Sequence, residues 1–413
     1  MTSVPLKYAA DLNTRVLPEE TDGGYTFRYV DISQVSGNGH LQLPQQEVTF
    51  GGAPSRARRI ARPGDTVIST VRTYLRAIAH VPDTDERLVF STGFTVASPR
   101  QGTDGRFLSW ACQSDDFVSQ VVARSTGVSY PAINPSDLAM IPVPLPPLDV
   151  QRRIADFLDD QVARIDQAAN LRNSQVLLTA AQVRSRIDEL LWEAASHQRV
   201  KFLVTSVTSG PRGWGDLVSD EGAPFLRIGN LPRDGIQIDV RELAFVQAPD
   251  TAEARRATCR TGDVLMGITA SLGDCASVTP EFDGSNFSQH VARLRPRPGV
   301  DSRWLAWGLQ STPVRQALEV TGYGGTKVGL SLDDVRNITV PVVGESSAQQ
   351  RLSRIERAWD LTAKLRLKLI DSQRLLAERK QSLITAAVTD EFDVSAASSR
   401  AAEVALSGIG GGL

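Results

Sequence analysis

The chain has 413 residues, 41% of them hydrophobic, and a formal net charge of −2. That length supplies two ordinary cores, so two to three domains are expected. No run approaches the roughly 18 apolar residues of a membrane span, and residues 1–10 lack the apolar segment of a signal peptide. The near-neutral balance argues against a protein that grips DNA by charge alone, and three scattered cysteines (Cys112, Cys259, Cys275) suit a reducing cytoplasm with no disulfide framework.

In chain order, Gly64-Asp65 reads as a turn before a short strand, Thr66-Val67-Ile68-Ser69, and Phe94-Thr95-Val96 as a second strand. Residues 104–123 read as one amphipathic helix carrying Trp110. Pro144-Leu145-Pro146-Pro147-Leu148-Asp149 then forms a stiff turn that can start a helix but not continue one. After Asp149 no glycine or proline occurs until Gly210. Leu158, Val162, Ile165, Ala169, Val176, Val183 and Leu190 recur at coiled-coil spacing, predicting a helix over 148–196, roughly 65–70 Å long. A second body follows, with Gly262-Asp263 before a strand at Val264-Leu265-Met266, a strand over 290–294 and a helix over 301–320 carrying Trp307. A second rod over 346–388 has Ile355, Leu365, Leu369, Leu376 and Leu383 on its seam. The small, polar stretch 394–413 reads as disordered.

The two halves match. Arg62-Pro63-Gly64-Asp65-Thr66-Val67 recurs as Arg260-Thr261-Gly262-Asp263-Val264-Leu265, 198 positions on (260 − 62). Trp110-Ala111-Cys112-Gln113-Ser114 recurs as Trp307-Gly308-Leu309-Gln310-Ser311, and Phe27-Arg28-Tyr29-Val30 aligns with Phe225-Leu226-Arg227-Ile228. Pro99, Asp137, Ile141 and Pro144 fall on Pro296, Asp334, Ile338 and Pro341. Ordered anchors at one offset identify a tandem duplication. The expected class is α+β: two similar mixed bodies and two long helices, which bury their narrow apolar stripes best as an antiparallel coiled coil. That pairing places the bodies at opposite ends, related by a pseudo-two-fold axis.

No catalytic constellation emerges. Gly322-Tyr323-Gly324-Gly325-Thr326-Lys327 lacks the Gly-Lys-Ser/Thr order of a phosphate loop and reads as a turn ahead of a strand. The four histidines (His40, His80, His197, His290) stand alone, with no metal-ligand spacing. Asp115-Asp116 and Asp333-Asp334 suit helix starts. The chain reads as a binder.

The run Pro146-Pro147-Leu148-Asp149-Val150-Gln151-Arg152-Arg153-Ile154 resembles a conserved region of the specificity subunits of type I restriction–modification systems. So do 125–144, Val67-Ile68-Ser69-Thr70-Val71-Arg72 and the C-terminal Leu376-Ala377-Glu378-Arg379-Lys380-Gln381-Ser382-Leu383-Ile384-Thr385-Ala386-Ala387-Val388-Thr389. Val150 departs from the family's usual glutamate, and Val340-Pro341-Val342-Val343-Gly344-Glu345 lacks the double proline. The resemblance implies target-recognition domains at 1–147 and 198–344, with conserved helices at 148–197 and 345–393. It implies a non-catalytic subunit that reads a bipartite asymmetric site on double-stranded DNA. Its partners would be two modification (methyltransferase) subunits, which bind S-adenosylmethionine, and ATP-dependent restriction subunits; no cofactor would sit on this chain, in the cytoplasm and off the membrane. The competing reading is a coiled-coil scaffold whose bodies bind protein partners.

Base reading needs side chains that reach groove edges, with phosphate contacts to set register. The candidates in the first body are Arg56, Arg58, Arg59, Arg72, Tyr74 and Arg76. In the second they are Arg212, Trp214, Arg233, Ser271, Asn286, Ser288 and Gln289. An arginine cluster is also how a solvated surface looks, and Trp110 and Trp307 read as core.

Overall fold

The computed structural model describes residues 2–321 and 329–391. The 322–327 cluster and the 394–413 tail lie outside the described residues. One compact unit takes the chain up to Arg172 and from Asp371 onward; the other is Asn173–Ile370. Each contains one sheet-rich body and parts of both long helices.

In the first unit, Thr26–Val30 runs parallel to Leu88–Ser91, flanked by Val48–Thr49 and Ala57–Ala61. A second sheet has the antiparallel order Ala10–Leu12, Phe94–Pro99, Thr66–Ser69, Ile78–His80. The second unit follows a similar plan, except that both strands flanking its parallel pair, Ala244–Val246 and then Val218–Ser219, lie on one side. Ala223–Leu226 runs parallel to Asn286–Phe287, and Val204–Ser209, Val291–Pro296, Val264–Gly267 and Cys275–Ser277 form the antiparallel sheet. Thr66–Ser69 and Val264–Gly267 are buried along their whole length, as strands covered on both faces should be. The turns before them need Gly64 and Gly262 at φ 89° and 85°, a region closed to most side chains.

The two predicted body helices are each broken in two. Gly105–Gln113 gives way to Asp115–Ala123, and Ser302–Gln310 to Thr312–Thr321. Ser114 and Ser311 are extended (ψ 153° and 149°), and each hydroxyl donates to the carbonyl three residues back. Ser114 also accepts from Phe117 N, so one serine ends a helix and caps the next. The amphipathic spacing runs through both pieces, which hides the break.

The long helices span Leu148–Trp192 and Glu345–Thr389, 45 residues each. The first ends short of the expected 196. Ala194 turns left-handed (φ 51°), and Ser196–Arg199 is a strand paired with Thr339–Val342. In the first unit Ile154, Leu158 and Val162 share a core cluster with Ile384 and Val388; in the second Ile187, Leu190 and Leu191 join Leu352 and Ile355. Each unit thus pairs one end of the first helix with the opposite end of the second, an antiparallel contact. Ile165, Ala169, Val176, Val183, Leu369, Leu376 and Leu383 are half-buried. Leu365 departs from the predicted seam at 43% exposure, while Thr362 is buried one turn earlier and bonds Ala358 O. A helix with 3.6 residues per turn drifts off a strict 3.5 repeat, carrying Leu365 outward.

The proline turn is locked by Gln151, fully buried. Its amide donates to Pro146 O (2.7 Å) and Gly102 O (3.0 Å) and its carbonyl accepts from Asp104 N (2.8 Å). In the second copy Ala348 stands at this position. A cavity of about 50 Å³ remains there, bordered by Gly299, Asp301 and Val343, the counterparts of the three Gln151 partners. Ala348→Gln is therefore expected to stabilise the protein by about 1 kcal/mol, read as a higher urea midpoint for the second unit. An unchanged or lower midpoint would count against the clamp.

Candidate nucleic-acid interface

The strand Thr66–Ser69 leads into a tight one-turn helix, Thr73–Leu75, bounded by Arg72 and Arg76, both left-handed (φ 49° and 56°). Non-glycine residues in that region carry strain, which persists where surrounding contacts enforce it and collects at functional sites. Here Arg72 N donates to Pro131 O (2.7 Å), and Thr73 and Ser125 hydroxyls bond at 2.8 Å. The Arg72 guanidinium lies 4.7 Å over the Tyr130 ring. Tyr74 projects at 54% exposure.

Thr70 N and Oγ1 donate to Gly93 O (2.8 and 2.9 Å), and Thr92 N donates to Arg56 O (2.8 Å). This ladder puts Arg56, the Thr92–Gly93 corner, Arg72 and Tyr130 along one edge. Arg56 is exposed and held by the Tyr29 hydroxyl (2.9 Å) and Asp31 (2.6 Å), which raise its basicity, Tyr29 most. Among the other arginines expected in this unit, Arg58 and Arg76 are committed elsewhere. Arg58 donates to Ser55 O and stacks on Phe50 at 4.9 Å. Arg59 is half-buried in its strand opposite Phe90. Arg76 points to Asp115 (2.6 Å), at the start of a body helix.

The second unit builds the same edge with other side chains. Ile268 N donates to His290 O (3.1 Å), repeating the Thr70–Gly93 bond. Ala270, at Arg72's place, is left-handed (φ 59°) and is followed by exposed Ser271. The His290 ring bonds the Thr269 hydroxyl (2.9 Å) on one side and the Gln289 amide (3.2 Å) on the other. Gly210 lies so close to this segment that a Cβ would sit 2.0 Å from Phe287 O, which brings exposed Arg212 to the same edge. Arg233 is exposed as well, with its carbonyl accepting from Arg315 (2.7 Å).

Three expectations are corrected by burial. Trp214 is packed with Phe225 (6.3 Å) in a core cluster. Asn286 is 2% exposed and its amide is spent on Ala257 O (3.2 Å). Ser288 is buried, its N–H bonded to Leu226 O (3.0 Å). None can reach a base edge from this position; they support the edge from beneath. Conversely, Tyr130, Thr269 and His290 belong to the edge although they were absent from the predicted set. The repeat register, which lays Gly93 on His290 (290 − 93 = 197), marks His290, and Tyr130 lies in the 125–144 run that carries the family resemblance.

The three cysteines are free and buried. Burial pushes the Cys259 thiol up to about 12 and raises Cys112 and Cys275 as well, so all three remain protonated. No helix among the described residues is long and apolar enough to cross a membrane.

Arg72→Ala is expected to weaken binding to the cognate duplex about 10–100-fold, the worth of one good base-edge or desolvated phosphate contact, and to leave the melting temperature nearly unchanged. Fluorescence anisotropy at several salt concentrations reads it. Wild-type affinity and salt slope would remove Arg72 from the interface.

Residues 15–175 match the family model described as the type I restriction modification DNA specificity domain. The chain is 19% identical over 310 residues to the type I restriction enzyme EcoBI specificity subunit of Escherichia coli. That match covers 67% of this chain and 64% of the relative, so it spans less than two thirds of that protein's length. Two solved structures share the fold at 23% identity. One comes from work on complex assembly and conformational transition of the type I R-M system, with a TM-score of 0.75, covering 94% of this chain and 97% of the other. The second is the HsdS subunit from Thermoanaerobacter tengcongensis, with a TM-score of 0.50 and coverage of 94% and 96%.

Proposed function

We propose, because the chain belongs to the family of type I restriction–modification specificity subunits, that each of its two bodies reads one half of a bipartite, asymmetric site on double-stranded DNA. The observation that carries this reading is the duplicated edge. One backbone plan, with a left-handed residue at Arg72 and at Ala270, presents Arg56, Arg72 and Tyr130 in one unit and Ser271, Gln289, His290 and Arg212 in the other. Similar scaffolds with different donors and acceptors suit two different half-sites. Arginine over an aromatic ring is held flat and ready for a guanine edge or a phosphate, while amide and imidazole groups suit adenine or mixed donor–acceptor edges.

In this reading the chain is not itself an enzyme. It works in the cytoplasm with two modification subunits, which carry S-adenosylmethionine and methylate adenine, and with ATP-dependent restriction subunits. The paired helices set the spacing between half-sites and offer the surface on which the modification subunits assemble. Sequencing methylated adenines in cells with and without this chain tests it. A gapped, two-part motif that disappears on deletion supports the reading. Unchanged methylation refutes it and favours the protein-scaffold alternative.

A further inference from the structure

The contact around Arg106 and Trp110 in the first unit has a repeat counterpart around Arg303 and Trp307 in the second, and the two are finished differently. In the first, Arg106 pairs with Asp156 and Asp159 (2.8 Å each), and the Trp110 indole donates to Asp159 (2.8 Å). In the second, Arg303 pairs with Glu356 (2.9 Å), at Asp159's position, and with Asp301 (3.0 Å). Trp307 is 3% exposed, and its buried indole N–H has no acceptor among the described residues. Trp359 stands where the first copy has Val162 and meets Trp307 edge-on at 5.4 Å. Beside them opens a cavity of about 460 Å³ lined by Trp307, Trp359, Arg303, Glu356 and Asp360.

The charge of Arg303 is answered by Asp301 and Glu356. Asp360 is exposed and has no ion-pair partner among the described residues, so the site is net negative. An aromatic wall and a free carboxylate specify a complementary group: a cation to lie on the ring and pair with the carboxylate. We propose that this cavity takes a basic side chain from a partner protein, laid against Trp359 and paired with Asp360. The proposal rests on the reading above, in which that partner is a modification subunit. It makes docking asymmetric, because the first unit has Val162 and Ala163 in place of Trp359 and Asp360.

The test titrates the full-length chain with the methyltransferase subunit encoded beside it, following mass and stoichiometry by mass photometry. Wild type is expected to bind two modification subunits. Asp360→Lys, on an exposed helical position, and Trp359→Leu, which removes the aromatic wall, are each expected to weaken one of the two steps roughly tenfold and spare the other. Both steps at wild-type affinity, in variants whose melting temperature is retained, overturn the cavity proposal and leave the modification-subunit reading standing. A wild-type chain that binds no modification subunit refutes that reading, and the proposal with it.

Discussion

Asp263→Ala is expected to cost the second unit about 3–5 kcal/mol, the usual penalty for stripping the partner from a buried charge. Asp263 is 1% exposed. It accepts from Arg260 N (2.8 Å) and, in a two-pronged bond, from Arg295 Nε and Nη2 (2.8 Å each), with Arg293 Nε at 3.8 Å. Arg293 is 4% exposed and donates to Arg256 O and Thr258 O; burial already lowers its pKa, opposed by Asp263. Without the carboxylate, one buried and one half-buried cation face each other and the turn at Gly262 loses its anchor. Asp263→Asn keeps an acceptor for Arg260 N and should cost less.

The first copy solves the same problem with a different residue. Asp65 accepts from Arg62 N (2.8 Å) and pairs with Arg15, which also donates to Ser98 (2.8 Å), at the place Arg295 occupies in the second copy. A single, 26%-exposed cation depends on Asp65, so Asp65→Ala should cost less, about 2 kcal/mol. Urea unfolding of the two variants side by side checks the ranking. An Asp263→Ala loss under about 1 kcal/mol would show that the anion is dispensable.

Shortening the helical pair should change the gap in the DNA motif. Removing four residues near Gln175, and a matching turn from the second helix, takes out about 6 Å of rise, or roughly two base pairs of duplex. A whole turn preserves the face that each flanking residue presents, so the clusters around Leu158 and Ile384, and around Leu190 and Ile355, survive. Methylated-adenine sequencing should then return the same two half-sites with a shorter spacer. An unchanged spacer refutes the ruler function, and loss of all methylation with intact folding indicates that the missing turn belongs to the partner surface instead.

Much of the architecture is written in contiguous residues. Pro146-Pro147 before an uninterrupted 3.5-residue pattern can only launch a long helix, and Gly64-Asp65 and Gly262-Asp263 announce turns through backbone sterics. The offset repeat, carried by such local anchors, establishes two bodies built alike. What the linear order leaves open depends on residues far apart in the chain. The breaks at Ser114 and Ser311, the choice of Arg15 or Arg295 for the buried aspartate, and the Arg72–Tyr130 and Thr269–His290 pairs are decided by neighbours that only folding supplies. For the same reason Trp214, Asn286 and Ser288 look like readers in a loop-rich sequence and prove to be the buried support. Composition and periodicity set the scaffold because they act along the chain. The proposed binding edge is set by which side chains the sheet registers bring together, and that is a property of the tertiary structure.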